Sequence, residues 1–140
     1  MWFVDGSKPV SGDGTSWHEA VRTIEEGVAL AAFTDQIWIK KGVYTLASPI
    51  SLADRDYRIY GGFSGDENTL AERDWVANEV VIDGSALSVP CFSIVAASPV
   101  IDGVRITAPM PQLRSVTAWL LGLTDQRPHA DVLAAEDPVR

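Results

Sequence analysis

The residue types best suited to chemistry are carboxylates placed in turns. Asp54 and Asp56 flank Arg55, and two carboxylates at this spacing could bind calcium or act as an acid–base pair. A solvated turn with local Asp–Arg pairing explains them equally well, because aspartate is common in turns. We favour the structural interpretation for this tripeptide.

A denser acidic patch lies within residues 66–74. It could hold a hard cation, but it lacks the alternating D-x-D-x-D-G order of a calcium loop. We interpret residues 68–73 as a short helical turn on the outside of the fold. The sequence therefore predicts no cofactor, and calcium has no motif in its support. The acidic residues of the patch are Asp66, Glu67, Glu72 and Asp74.

The tetrapeptide VIDG occurs at residues 81–84 and again at 100–103, 19 residues apart. This repetition predicts that Asp83 and Asp102 occupy one position on two successive turns of the chain. Adjacent strands lie about 5 Å apart, so these two charges would repel unless they were solvated or bridged by a cation. We expect polar corners that are open to water.

The aromatic residues offer a binding chemistry. Strand alternation predicts that Trp38 and Tyr60 face outward together on neighbouring strands, where exposed rings could contact a glycan. Aromatic residues in strands are more often packing residues. Trp38 and Tyr60 are nevertheless the glycan-contact candidates that the sequence supplies.

Other catalytic and metal-binding chemistries find little support. Cys91 lies in the apolar run CFSIV, which predicts a buried and inert thiol. His18 is predicted at the surface and His129 lies near the end of the chain, with no third ligand for zinc. No G-x-S-x-G motif is present, and the glycine-rich segment 61–65 lacks the lysine of a phosphate-binding loop. We predict no catalytic, metal or cofactor-binding residue.

One amphipathic helix and a series of short strands must position these residues. Ser16 and Glu19 match an S-x-x-E capping box, and the apolar spacing that follows predicts a helix over residues 16–33. Short β-branched and aromatic runs, each ended by glycine or a turn, predict strands through to Thr107. The predicted apolar face of the helix comprises Trp17, Ala20, Val21, Ile24, Val28 and Ala31.

Recurrence of the strands at about 20–25 residues indicates a solenoid. The isoleucines that precede the glycine stops are 20, 23 and 19 residues apart and predict one stacked position; they are Ile39, Ile59, Ile82 and Ile101. We predict a short parallel β-helix of about four coils, where each coil contributes one strand to each sheet. The helix at 16–33 would cap its open end. An antiparallel sandwich is the second choice.

Composition and net charge limit the classes of partner that the chain could bind. The chain has 140 residues and a net charge of −8, which argues against nucleic acid because phosphate binding needs clustered lysine and arginine. No run approaches the roughly 18 apolar residues of a membrane span. The first residues, MWFVDGSKPV, lack the layout of a secretory signal peptide.

The order of the motifs resembles the amino-terminal part of the right-handed parallel β-helix proteins of the pectin-lyase-like superfamily, particularly large bacterial surface or secreted repeat proteins. The resemblance covers residues 2–107 and implies an extracellular or cell-envelope β-helix, often carbohydrate-related. Catalytic and calcium residues of that superfamily lie on later coils, and no position here matches them. The motifs are WFVDG, GTSWHEAV, DQIWIKKGVYT, YGGFSGDE, ERDW and VIDGVRIT.

The chain divides at residue 107. Residues 1–107 are predicted to form the cap and the coils, whereas residues 108–140 depart from the family and carry one apolar face at helical spacing. This tail could be a second helical cap or the product of a shifted reading frame. We expect a non-catalytic surface scaffold or adhesion module, partnered by a polysaccharide or surface glycan. The alternative is the amino-terminal fragment of a polysaccharide lyase or glycoside hydrolase.

Overall fold

A computed structural model describes residues 1–107 of the chain, and strands dominate that part. It contains one α-helix, one short 3-10 helix and nine strands. In chain order they are β1 (Trp2–Val4), α1 (Ile24–Leu30), β2 (Gln36–Lys40), β3 (Gly42–Thr45), β4 (Ile50–Ala53), β5 (Arg58–Phe63), the 3-10 helix (Leu70–Glu72), β6 (Val80–Asp83), β7 (Phe92–Val95), β8 (Val100–Asp102) and β9 (Arg105–Thr107).

The strands form three sheets, and every pairing in them is parallel. Sheet A has the order β1-β2-β5-β8, sheet B the order β3-β6-β9, and sheet C consists of β4 and β7. From β2 onward the chain visits the sheets in a fixed cycle, A then B then C, and it is in its third cycle when β9 ends. Each strand therefore pairs with the strand of the same sheet in the preceding cycle.

Aliphatic and aromatic side chains from the three sheets meet in one core. In sheet A the partners Ile37, Ile59 and Ile101 stack in register, and in sheet B Ile82 lies between Tyr44 and Ile106. Side chains alternate between the two faces of a strand, so short strands need only one or two inward positions each. Full burial of one such side chain contributes about 1.5–3 kcal/mol.

The predicted strands are confirmed, but the predicted repeat is wrong. Ile82 belongs to sheet B, and Ile39 pairs with Gly61 rather than with Ile59. The two VIDG segments lie in different sheets, β6 in sheet B and β8 in sheet A. Strands of three or four residues that end in a turn look alike in every sheet, so an identical tetrapeptide does not identify which sheet it joins.

The predicted helix at 16–33 is also wrong in extent, because α1 begins at Ile24. Val21 N–H donates to the carbonyl of Phe3 at 3.0 Å, and its own carbonyl accepts from Asp5 N–H at 2.8 Å. Because the N–H and carbonyl of Val21 are bonded to the β1 segment, they cannot form helical hydrogen bonds. The true capping box is Thr23 with Glu26.

The short α1 packs closely on the core. Ile24 and Val28 are buried, and Gly27 faces the first two strands of sheet A. A Cβ at Gly27 would lie 2.9 Å from Cγ2 of Val4 and 3.2 Å from Cγ2 of Ile37, so only glycine allows this approach. The predicted carboxyl-terminal cap, residues 108–140, lies outside the described residues.

Candidate functional site: the outer face of sheet A

Four side chains form a ladder on the outer face of sheet A. The strand registers pair Phe3 with Trp38, Trp38 with Tyr60, and Tyr60 with Asp102. They alternate with the inward isoleucines, so they project away from the core. The prediction that Trp38 and Tyr60 are neighbours on adjacent strands is therefore confirmed.

The Trp38 ring lies within a covered aromatic cluster. It stacks on Phe63 with the ring centroids 4.6 Å apart, and it meets Phe3 edge-on at 5.6 Å. Trp17, from the segment between β1 and α1, packs against Phe3 and Phe63 and covers the cluster. Its Nε1 donates to the carbonyl of Glu67 at 3.0 Å. Only 2% of Trp38 is exposed. The expectation of a solvent-facing Trp38 ring is wrong, and its glycan-contact role stays a prediction.

Tyr60 belongs to a second cluster that is open to solvent. The guanidinium of Arg73 lies between two rings, 5.1 Å from the Tyr60 centroid and 4.9 Å from that of Trp75. It also donates to the carbonyl of Gly61 at 3.2 Å and pairs with the Asp102 carboxylate at 2.7 Å. A cation between two aromatic faces is stabilised by the ring quadrupoles. Arg73 thereby fastens the segment 64–79 to sheet A.

The first part of that segment is organised by a buried carboxylate. Glu67 accepts hydrogen bonds from the backbone of Ser64 at 2.7 Å, Gly65 at 3.0 Å and Asp66 at 3.1 Å. Burial alone would raise the pKa of Glu67, but the bonds from Ser64 and Gly65 outweigh this and lower it. Glu67 is thus held ionised as an anchor for the loop.

The other acids of the patch also bond to backbone within the segment. Glu72 accepts from the backbone of Asn68 and Thr69, which caps the 3-10 helix. Asp74 accepts from Val76 and Ala77, both at 3.0 Å. Within residues 1–107 no group of three His, Cys, Asp or Glu side chains is arranged to hold a metal ion. The predicted short helical turn is confirmed.

Asp83 and Asp102 do not stack, and the prediction that they share one position is wrong. Asp83 accepts from the backbone of Ser85 at 2.9 Å and from the Thr107 hydroxyl at 3.0 Å. The bonds from Ser85, and then that from Thr107, lower the pKa of Asp83. Asp102 lies on a different sheet, at the end of β8 in sheet A, and it pairs with Arg73. No repulsion between the two aspartates has to be relieved by a cation.

The Asp54–Arg55–Asp56 turn joins sheet C to sheet A. Asp54 has a φ of 64° and its N–H donates to Val95, while Asp56 accepts from Ser98 N–H at 3.0 Å. Arg55 donates to the carbonyl of Ala31. These bonds support the structural interpretation of the turn, with Arg55 bonded to backbone.

The remaining nucleophile and ligand candidates are uninvolved in either cluster. Cys91 is buried as predicted, and burial raises the pKa of its thiol to about 11. The His18 side chain is exposed, 3.6 Å from a Glu19 carboxylate oxygen. His129 lies outside the described residues.

Sequence reasoning missed Arg73 and Trp75 as site residues. The motif ERDW contains both, but their partners Tyr60 and Asp102 are distant in sequence. A signal was present in the dipeptide Trp75-Val76, which places two apolar side chains beside polar residues in a segment without strand alternation.

No helix in the described part of the chain has the length and apolarity needed to cross a membrane. No family model matches the sequence, and neither the curated proteins nor the solved structures contain a match.

Proposed function

We propose that the chain folds as a short right-handed parallel β-helix, capped at its start by α1. The cyclic order of the three parallel sheets supports this, because a solenoid visits its sheets in the same order on every coil. The in-register isoleucines of sheet A supply the continuous core that such stacking needs. Right-handedness follows the strong preference of parallel crossover connections.

The function proposed for this fold is that of a non-catalytic extracellular or cell-surface scaffold or adhesion module that binds polysaccharide. A β-helix presents long flat faces, and one face here carries the half-exposed Tyr60 with the exposed Trp75. This aromatic surface is the observation that carries the proposal, since rings that are exposed and held in place are suited to stacking on sugar rings.

The carboxylates support a non-catalytic role. A general acid that works near neutral pH needs a raised pKa. Among the described residues, every carboxylate with a perturbed pKa has it lowered by hydrogen bonds from nearby groups. These carboxylates are Asp5, Asp13, Glu26, Asp35, Glu67 and Asp83.

The test is to incubate the full chain with a panel of soluble and insoluble polysaccharides, and to measure retention together with the release of reducing ends or unsaturated sugars. We expect retention on at least one polysaccharide without any product. Product formation would instead favour the lyase or glycosidase alternative, and absence of retention across the panel would reject polysaccharide binding. Labelling intact and permeabilised producing cells with an antibody tests the proposed location.

A further inference from the structure

The most distinctive exposed feature of the described residues is an apolar ridge beside the open cluster of sheet A. Trp75 is 54% exposed and its neighbour Val76 is 82% exposed. Sheet A contributes the half-exposed Tyr60, and beside it Val100 is 45% exposed and Asp102 presents a carboxylate. We call these five residues the Trp75 surface.

The turn that carries Trp75 is held firmly. Asp74 N–H donates to the carbonyl of Gly62 at 2.8 Å. The Asp74 carboxylate accepts hydrogen bonds from the backbone N–H groups of Val76 and Ala77. Gly62 has a φ of 105°, and a Cβ there would lie 2.9 Å from the backbone nitrogen of Trp75. Arg73 supports one face of the indole. A ring fixed in advance loses little conformational entropy when a ligand stacks on it.

The charges near the surface compensate one another. Arg73, whose side chain is only 10% exposed, pairs with Asp102, so the surface offers no net charge from this pair. The chain as a whole carries −8. An anionic polymer would be repelled by that field, whereas an uncharged ligand would not. The Tyr60 hydroxyl and the outer oxygen of Asp102 remain suitable partners for hydroxyl groups.

We infer that the Trp75 surface binds a neutral polysaccharide, with the apolar face of one sugar ring stacked on the indole of Trp75. Hydroxyl groups of the neighbouring sugar bond to Tyr60 and Asp102. This inference rests on the proposed function and names its site and its ligand class. It replaces Trp38 by Trp75 as the stacking residue and keeps Tyr60.

The experiment uses the full chain with hydroxyethylcellulose, xyloglucan and galactomannan as neutral probes and polygalacturonate as the anionic probe. Affinity is measured by electrophoretic retardation and by titration calorimetry. Trp75→Ala should weaken binding to the retained neutral probe by about tenfold or more, because truncated aromatic anchors commonly cost that much. Trp75→Tyr, which keeps a ring, should stay within about fivefold of the unmodified chain.

Phe33→Ala is the matched control, since Phe33 is 60% exposed and lies outside the surface, and its affinity should not change. The urea unfolding midpoint of each variant shows whether a loss of binding is caused by a loss of folding. A Trp75→Tyr protein that is folded but does not bind the neutral probe overturns the inference. Unchanged affinity of Trp75→Ala rejects the site while leaving the proposed function intact. No binding by the unmodified chain to any of the four probes rejects both the site and the proposed function. Preference for polygalacturonate over the three neutral probes rejects the neutral sugar as the ligand.

Discussion

Gly84 is required by a close contact with Cys91, and this gives a prediction that sequence alone does not. A Cβ at Gly84 would approach Cys91 Sγ well inside the 3.0 Å that real Cβ contacts essentially never pass, and it would lie 3.1 Å from the Thr107 carbonyl. Backbone bonds hold the glycine in place, because its N–H donates to Thr107 at 3.0 Å and its carbonyl accepts from Leu87 at 2.9 Å. An alanine there must displace β7 or the end of β6.

The loss of stability expected for Gly84→Ala can be worked out from overpacking. An ordinary contact needs about 3.5–4.0 Å, so the Cβ and the sulfur must move apart by about 1 Å or more. Overpacking of this kind costs about 1–3 kcal/mol, offset by about 0.4–1 kcal/mol from the stiffer unfolded chain. We expect Gly84→Ala to lower the free energy of unfolding by about 1–2 kcal/mol, and Cys91→Ala by about 1 kcal/mol through the lost sulfur contacts.

The double variant tests the cause of the cost. In Gly84→Ala with Cys91→Ala, the added methyl group occupies the space of the sulfur, so the total cost should fall about 1 kcal/mol or more below the sum of the single costs. Urea unfolding followed by far-ultraviolet circular dichroism measures all three. Gly103→Ala is the control, because Gly103 has a φ of 77° and a Cβ there would first meet Arg73 and Gly61, so removal of Cys91 should not rescue it. Additive costs at Gly84 would refute the reasoning.

Two further predictions concern the segment 64–79. Arg73→Lys keeps the charge but loses the planar stack and should lower the free energy of unfolding by about 1–2 kcal/mol. Asp102→Asn should cost under about 1 kcal/mol in the same urea assay, because that carboxylate is 57% exposed; equal costs would contradict the stacking role. The lowered pKa of Glu67 means that its contribution to stability is complete above the pKa of the unfolded chain and is lost as pH falls through the lower native pKa. Glu67→Gln should therefore flatten part of the fall in urea midpoint between about pH 5 and pH 3, and an unchanged slope would show that Glu67 does not contribute.

The strand positions were predictable from sequence, because β-branched runs ended by glycine or Asp-Gly leave few alternatives. The parallel pairing of the sheets was predicted from the repeat, but the predicted register, with Ile39, Ile59, Ile82 and Ile101 stacked, was wrong. The register depends on the number of residues in each connection between strands. The stacked isoleucines Ile37, Ile59 and Ile101 are separated by 22 and then 42 residues, because the segment 64–79 is inserted in the second cycle.

The candidate site was harder to predict than the fold. Trp38 has the outward position that alternation predicts, but its exposure depends on whether Trp17 and Phe63 cover it. Trp17 comes from the segment before α1, and Phe63 is the last residue of β5, beyond the two glycines that would be expected to end that strand. Gly84 and Gly103 likewise end the same tetrapeptide for different reasons: Gly84 lacks side-chain space beside Cys91, whereas Gly103 has a positive φ and a close approach to the Gly61 carbonyl.

Disulfide formation between engineered cysteines measures the order of strands directly. Val43 and Val81 are register partners in sheet B, and neighbouring strands lie at a Cα separation compatible with a disulfide. The pair Val43→Cys with Val81→Cys should therefore form a cross-link on mild oxidation, identified by peptide mapping without reduction. The pair Val81→Cys with Val100→Cys, which aligns the two VIDG segments, should not, because β6 and β8 lie in different sheets. The opposite result would contradict the three-sheet fold and restore the simple 19-residue repeat.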